Sequence, residues 1–293
     1  MAKVSIVMAT YNRAPTIARA VYSILAQTVA DWELVIVDDG STDATRHVLQ
    51  QLSDPRIRVV THPKNRGVCA AKNTGLDHIQ GEWFTILDSD DEMMPDALEV
   101  MLDCAQRTGA TAVTCRCLES HTGQFVGVGP AADGRLSPES TAKLRGEFWG
   151  LTQTSLLGDL RFDERYPGLD PAVWLNINRR ARRYYLHRAL RVYHTEGEDR
   201  VTKSKRTAGL SQKVGYYALL GENRAYLREL RRVDPASWLR MYERILAARC
   251  LRPLVGSRSS EGAAEVNARH CSGSGEQALE AECGQHDGDL TVG

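Results

Sequence analysis

No stretch of the 293-residue sequence reaches 18 consecutive apolar residues, and no cleavable leader precedes the strand-like segment that starts at Val4. A membrane span and secretion are therefore both unexpected, and a cytoplasmic setting is expected. Paired cysteines are missing as well. The 7 cysteines form no Cys-x-x-Cys motif, and Cys115-Arg116-Cys117 is too close-spaced and isolated for a four-ligand zinc site, which leaves reduced thiols as the plain reading. Where a dinucleotide-binding strand would be followed by Gly-x-Gly-x-x-Gly, this chain has Ala9-Thr10-Tyr11-Asn12-Arg13, which argues against a dinucleotide-dependent dehydrogenase. Gly-x-x-x-x-Gly-Lys-Ser/Thr is absent too, as is the Gly-rich basic loop that a sugar-nucleotide pyrophosphorylase needs to hold a triphosphate.

Net charge is the last absence, with 37 Lys and Arg balancing 37 Asp and Glu. The balance hides an uneven distribution. Residues 203–252 carry 12 Lys/Arg against 4 Asp/Glu, whereas residues 256–293 carry 7 Asp/Glu against 2 Lys/Arg. The basic stretch has two readings: a surface for an acidic glycan, a lipid phosphate or the inner membrane face, or simple solubility. No nucleic-acid partner is expected.

What the sequence does contain, at 42% apolar and 25% charged residues, is enough core for one large α/β domain with appendages. Strand and helix patterns alternate at short spacing through the first 115 residues. Val4 to Ala9, Glu33 to Val37, Ile57 to Val60, Trp83 to Leu87 and Ala110 to Cys115 read as strands. Between them Pro15 to Gln27, Thr42 to Leu52 with Ser41 as its cap, Val68 to Ile79 and Pro95 to Arg107 read as helices. This rhythm predicts an α/β fold with a mostly parallel, doubly wound sheet whose ligand crevice lies at the carboxyl ends of the strands. Beyond Cys117 the segments shorten around an irregular stretch holding Phe148-Trp149-Gly150. A helix over Asp170 to Arg182, a strand over Tyr184 to Tyr193 and a basic helical region from about Leu210 to Leu254 follow. The last 38 residues hold little that could form a core and read as disordered.

Two acidic clusters fall at strand ends: Asp38-Asp39, and Asp88-Ser89-Asp90-Asp91-Glu92 after Trp83 to Leu87. Such a cluster repels itself unless a cation or a positively charged ligand offsets it.

These residues carry a resemblance. Val4 to Asn12, Ser23-Ile24-Leu25-Ala26-Gln27-Thr28, Glu33 to Asp43, Asn65-Arg66-Gly67, Ala71-Lys72-Asn73-Thr74-Gly75 and Leu87 to Asp91 fall in the order seen in family 2 glycosyltransferases of the GT-A fold, which the chain resembles. The resemblance implies a Rossmann-like, mostly parallel sheet flanked by helices, here with a C-terminal helical extension. It further implies an inverting enzyme dependent on a nucleotide-diphosphate sugar, with Mn2+ or Mg2+ bound alongside the donor. Carried over residue by residue, Asp88, Asp90 and Asp91 form the metal-binding segment with Asp90 as the first-ranked direct ligand, and Ser89 lies within it. A divalent cation bridging two phosphates would stabilise the charge that grows on the leaving group.

Asp39 resembles the carboxylate that contacts the base. An acceptor there suits the imide N–H of uracil and disfavours cytosine, so a UDP-sugar is the expected donor. Thr10, Tyr11 and Asn12 would complete the base and ribose pocket, and Lys72, standing where many relatives carry Arg, keeps a cation near the nucleotide. Asp38 has two readings, a cap of the following turn or a direct ligand.

Further along, Arg161-Phe162-Asp163-Glu164 and Gly168-Leu169-Asp170-Pro171-Ala172-Val173-Trp174-Leu175 resemble the segment that supplies the catalytic base. Asp170 takes that position; Leu169 replaces the usual Glu. One carboxylate suffices for an inverting displacement. Asp170 is equally suited to cap the helix opened by Pro171, and the two roles are compatible. His194 resembles a residue that meets the metal or the diphosphate, with a structural histidine as the alternative. The polar segment Glu196 to Arg206 reads either as a loop closing over phosphates or as a solvated loop. Trp149 and Trp174 read either as platforms for an acceptor sugar or as core.

The expected organisation is a donor-binding half over residues 1–117, an acceptor-binding half over 118–205, a basic helical extension over 206–255 and the acidic tail over 256–293. Surface polysaccharide or glycolipid assembly is the implied setting, with a glycan or lipid-linked acceptor and peripheral membrane contact through 203–252. A non-catalytic sugar-nucleotide scaffold of the same fold and a sugar nucleotidyltransferase are the competing functions.

Overall fold

The structure, a computed structural model, describes residues 3–165, 170–195 and 210–255. Its strands are β1 (Val4–Thr10), β2 (Trp32–Asp38), β3 (Ile57–Thr61), β4 (Trp83–Ile86), β5 (Glu92–Met93), β6 (Ala112–Glu119), β7 (Phe125–Val126), β8 (Gly134–Leu136), β9 (Phe148–Gln153) and β10 (Arg183–Tyr193). The helices are α1 (Ile17–Leu25), α2 (Thr45–Gln50), α3 (Val68–Asp77), α4 (Ala97–Thr108), α5 (Pro138–Ala142), α6 (Asp170–Arg180), α7 (Leu210–Glu222), α8 (Arg224–Val233) and α9 (Pro235–Val255).

Central strands bury both faces, and the sequence of β1, Val-Ser-Ile-Val-Met-Ala-Thr, is correspondingly apolar without alternation. It pairs in parallel with β2 on one side and β4 on the other. Helix α1 covers one face with Ile17, Ala20, Val21 and Ile24, the one-sided spacing of an amphipathic helix. On the other face α3 lies close because Gly75 has no side chain; a Cβ there would stand 2.4 Å from Val7 Cγ1.

The sheet runs β3-β2-β1-β4-β9-β6-β10-β5, with β7 on β6 and β8 on β10. It is mixed rather than mostly parallel. Strand β9 lies antiparallel between β4 and β6, in the stretch around Phe148-Trp149-Gly150 that the sequence pattern left irregular. Gly150 obscures the strand signal, yet a Cβ at this position would fall 2.0 Å from the Val113 carbonyl oxygen, so the close strand approach requires glycine. The expected cap of α2 also differs: Ala44 occupies that position, and the Ser41 hydroxyl accepts the Asn12 N–H instead. The basic C-terminal region forms three helices. Asn223 caps α8 by accepting the Tyr226 N–H, and Asp234 ahead of Pro235 accepts the Ser237 N–H at the start of α9. Ala172 and Leu175 of α6 pack with Leu220, Tyr226, Leu230 and Val233, joining these helices to the domain. Residues 256–293, expected to be disordered, lie outside the described residues.

Candidate active site at the carboxyl ends of the strands

Parallel pairing places the ends of β1, β2 and β4 on one edge of the sheet, with Thr10 in register with Asp38. The β1–α1 loop binds the β2 end directly. Asn12, at φ 52°, accepts the N–H groups of Thr42 and Asp43 through Oδ1 at 2.9 and 3.3 Å, and its own N–H donates to Ser41. Asparagine tolerates this left-handed backbone better than most residues, so the conformation and the side-chain clamp agree. Tyr11 sits half-buried beside it. The Thr10 hydroxyl is buried and has no hydrogen-bond partner, an orphan at the heart of this edge.

Asp38 and Asp39 divide the work. Asp38 is fully buried, accepts the Ser41 N–H at 2.9 Å and pairs with Arg46 Nε at 2.9 Å, so it holds the turn. Asp39 accepts the Arg66 and Gly67 N–H groups at 2.9 and 2.7 Å and meets His62 Nδ1 at 2.6 Å. His62 in turn meets Thr74 Oγ1 at 2.9 Å. Three donors leave a carboxylate with about one open acceptor position.

The second acidic cluster is organised by a residue that sequence motifs did not reveal. Arg191 of β10, 5% exposed at its side chain, donates through Nε to Asp91 Oδ2 at 2.8 Å and through a terminal nitrogen to both Asp91 and Asp88, the latter at 2.8 Å. Asp91 also accepts the His194 N–H at 2.8 Å. Lys72 Nζ stands 3.9 Å from Asp88 Oδ1. Burial works against the charge on Asp88, but Lys72 and then Arg191 outweigh it and hold this carboxyl below its ordinary range. Burial and then the charge of Asp88 push Asp90 up. Asp91 is raised to about 6 by burial, against the pull of Arg191. Ser89, between them, is buried. The one local signal for Arg191 is an arginine inside the apolar run Leu190-Arg191-Val192.

The expected metal quartet of Asp88, Asp90, Asp91 and His194 is not assembled. Among the described residues, no group of three or more His, Cys, Asp and Glu side chains stands ready to hold a metal ion. Asp91 is committed to Arg191, and His194 Nε2 lies 2.8 Å from Glu92 Oε1, which itself faces Arg19 at 3.5 Å. Asp88 and Asp90 remain. Two carboxylates fit an ion such as Mg2+ that takes its other ligands from phosphate and water.

Asp170, the expected catalytic base, is the first residue of α6; its side chain lies outside the described residues, as do Leu169 and the expected phosphate loop Glu196 to Arg206. The chain around Phe162 and Glu164 is anchored to α3. Asn73 of α3 exchanges hydrogen bonds with the backbone of Phe162, and Glu164 receives Asn73 Nδ2 at 3.0 Å and Arg66 at 3.1 Å. Both tryptophans serve packing rather than an open sugar platform. Trp149 is 5% exposed and donates to the Ile86 carbonyl, while Trp174 stacks on Phe84 and meets Phe162 edge-on.

The sequence profile described as glycosyl transferase family 2 matches residues 5–130. A Campylobacter jejuni protein, GalNAc(5)-diNAcBac-PP-undecaprenol beta-1,3-glucosyltransferase, is 33% identical over 228 residues, covering 75% of this chain and 73% of that protein. The chain belongs to glycosyl transferase family 2. As a family 2 member it is an enzyme of the glycosyltransferase class. Two relatives match more strongly over less: the Rhizobium meliloti succinoglycan biosynthesis protein ExoO, 44% identical, covers 36% of this chain and 31% of that protein. The Escherichia coli UDP-Glc:alpha-D-GlcNAc-diphosphoundecaprenol beta-1,3-glucosyltransferase WfgD, 40% identical, covers 34% and 39%. The match thus spans about a third of the length of these two proteins. Among solved structures, S. aureus TarS in complex with UDP-GlcNAc superposes with a TM-score of 0.66 at 20% identity over 84% of this chain and 72% of that one, a likeness of GT-A fold. No described helix is long and apolar enough to cross a membrane.

Proposed function

We propose that this family 2 enzyme is an inverting, metal-dependent glycosyltransferase that moves a sugar from a UDP-sugar to a hydroxyl of a lipid-linked glycan. One observation carries the reading: the unpartnered Thr10 hydroxyl, Asp39 and the Asp88/Asp90 pair with Lys72 share the carboxyl edge of one sheet. The donor and acceptor classes are supported by the names of the C. jejuni and E. coli relatives and by the UDP-GlcNAc held by TarS. In this reading Thr10, Tyr11 and Asn12 border the base and ribose, and the remaining acceptor position of Asp39 faces an imide N–H. Residues 1–117 form the donor half, 118–205 the acceptor half and 206–255 a helical extension whose basic surface meets the inner membrane face.

Asp88 and Asp90 would hold Mn2+ or Mg2+, which supplies charge stabilisation to a departing diphosphate. The chain's own groups do the rest. Lys72, beside Asp88, adds a fixed positive charge near that leaving group. Asp170 accepts the proton of the acceptor hydroxyl as its oxygen attacks the anomeric carbon opposite the leaving group, so the configuration inverts.

The test is a thermal-shift panel of UDP, UDP-glucose, UDP-GlcNAc and CDP-sugars with and without Mn2+. A UDP-sugar at a hundredfold excess over its dissociation constant should add about 2.7 kcal/mol of stability with Mn2+ present. Equal response to CDP- and UDP-sugars, or none to any, would sink it. Donor binding without transfer to any acceptor would favour the scaffold reading, and pyrophosphate release from a nucleoside triphosphate the nucleotidyl reading.

A further inference from the structure

The C-terminal helices present an apolar face that the domain does not use. Helix α9 buries Ile245 and Ala248 and packs Met241 and Trp238 against α7 and α8. A second stripe, about a third of the way round the helix, is also apolar. Leu239 is 53% exposed, Tyr242 38% and Leu246 43%, and Cys250 is exposed beside them. Seven large apolar residues are exposed among the described residues, and three of them lie on this single helix. At 100° per residue, positions 239, 242, 246 and 250 fall within one narrow stripe. The exposed Arg249 borders it on one side; on the other the acid Glu243 lies next to it, with Arg240 and Arg244 beyond. Over its 21 residues α9 carries Arg240, Arg244, Arg249 and Arg252 against a single acid, Glu243.

A helix with one buried stripe and a second, exposed apolar one, carrying four arginines against one acid, has the amphipathic form that lies flat at a lipid headgroup boundary. At about 30 Å, its length gives several turns of contact along a flat surface. A groove for an apolar peptide would need facing walls, and a protein partner chosen for charge alone would leave Leu239 and Leu246 unused. Anionic lipid satisfies both features at once, because headgroup phosphates face the arginines while the acyl boundary receives the leucines.

We propose that the outer stripe of α9, Leu239-Tyr242-Leu246-Cys250, with Arg249 at one border and Arg240 and Arg244 beyond Glu243 at the other, seats the enzyme on an anionic lipid bilayer. The purpose of this contact rests on the lipid-linked acceptor proposed above, whereas the contact itself is measured without transfer, so either can fail alone.

The experiment is co-sedimentation of the full chain with vesicles of phosphatidylglycerol and phosphatidylcholine in equal parts, and with phosphatidylcholine alone. Wild-type protein is expected to pellet with the anionic vesicles and stay in solution with the neutral ones. L239Q/Y242S/L246Q should lower the partition coefficient by at least about tenfold, through lost apolar burial. R240Q/R249Q should lower it roughly thirtyfold at low salt and little at high salt, because surface attraction is screened. Tyr242 stacks on Trp238, so L239Q/L246Q, which leaves that pair intact, serves beside the triple variant: it should also pellet less, L239Q/L246Q and R240Q/R249Q should melt with wild type, and the thermal response to UDP-sugar and Mn2+ should be unchanged. Undiminished pelleting of the triple variant, failure of wild type to bind anionic vesicles, or a lipid-free dimer that the triple variant abolishes would overturn the proposal.

Discussion

Asn73 and Phe162 are joined by two hydrogen bonds running in opposite directions: Nδ2 donates to the Phe162 carbonyl at 2.9 Å, and Oδ1 accepts the Phe162 N–H at 2.8 Å. A side-chain amide thereby replaces a backbone pairing partner for a buried residue eight positions before Asp170. The same Nδ2 reaches Glu164, which also meets Arg66, whose N–H is held by Asp39. A continuous polar path thus runs from the β2 end to the chain that leads into α6.

Asn73→Ala removes that path and leaves the Phe162 N–H unsatisfied. Stability should fall by about 2 to 3 kcal/mol. Affinity for UDP with Mn2+ should stay within about threefold while the maximal transfer rate falls by more than tenfold, since misplacement of a reacting group slows the chemistry without touching the nucleotide. Urea melts and steady-state kinetics separate the two effects; an equal loss in both affinity and rate would show that the clamp does not serve the acceptor side selectively.

Arg191 bridges Asp91 and Asp88 from β10. Arg191→Met should destabilise the fold by about 3 to 5 kcal/mol, because it strands a buried carboxylate. The double variant R191M/D91N, which removes both charges, should recover most of this. In the surviving single variant Asp91 is released, and donor-free Mn2+ binding, read by the electron paramagnetic resonance of free Mn2+, should tighten. Weaker binding would mean that Arg191 does not restrain Asp91.

The pH dependence has a definite sign. Asp91 is raised from 3.8 to about 6 and Asp90 is raised as well, each by burial first. A raised carboxyl binds more protons in the folded state, so its contribution is fully present below the ordinary value and is lost as pH rises through the folded one. The melting temperature without metal should therefore decline between about pH 4 and 6 from these groups, and Asp91→Asn should flatten part of that slope. An unchanged slope in the variant would exclude Asp91 as the source.

Asp170→Asn keeps the size of the side chain and its capacity to accept hydrogen bonds but removes its basicity. Transfer should drop by about 10² to 10⁴, while the UDP and Mn2+ thermal shift persists. Retained turnover would move the base elsewhere.

The carboxyl edge of the sheet was largely legible in the sequence because its determinants are local. A buried parallel strand demands an apolar run, and the residues that leave it at the carboxyl end stand next to it in the chain, so the acidic ends of the second and fourth strands could be placed on one edge. The helices of the first 108 residues were found for the same reason, most ends falling two or three residues short of the patterns, with α3 starting at Val68 as expected and α4 running one residue longer.

Other features were decided by partners remote in the chain. Asp91 reads as one more metal ligand in Asp88-Ser89-Asp90-Asp91, and its removal from that role depends on Arg191, 100 positions later. His194 is drawn to Glu92 in the same way. Strand β9 escaped notice because its Gly150 weakens the periodic signal and its place between β4 and β6 is fixed only by the strands on either side.

The amino-acid sequence by itself determined the alternation of strand and helix, the acidic strand ends and hence the family, since each depends on side chains within a few residues of one another. Tertiary structure alone decided which acids stay open to a ligand and which are neutralised from within, because a buried carboxylate takes its character from whatever charge the fold brings to hydrogen-bond distance. It likewise decided that α9 spends one apolar stripe on the domain and leaves the other facing outward.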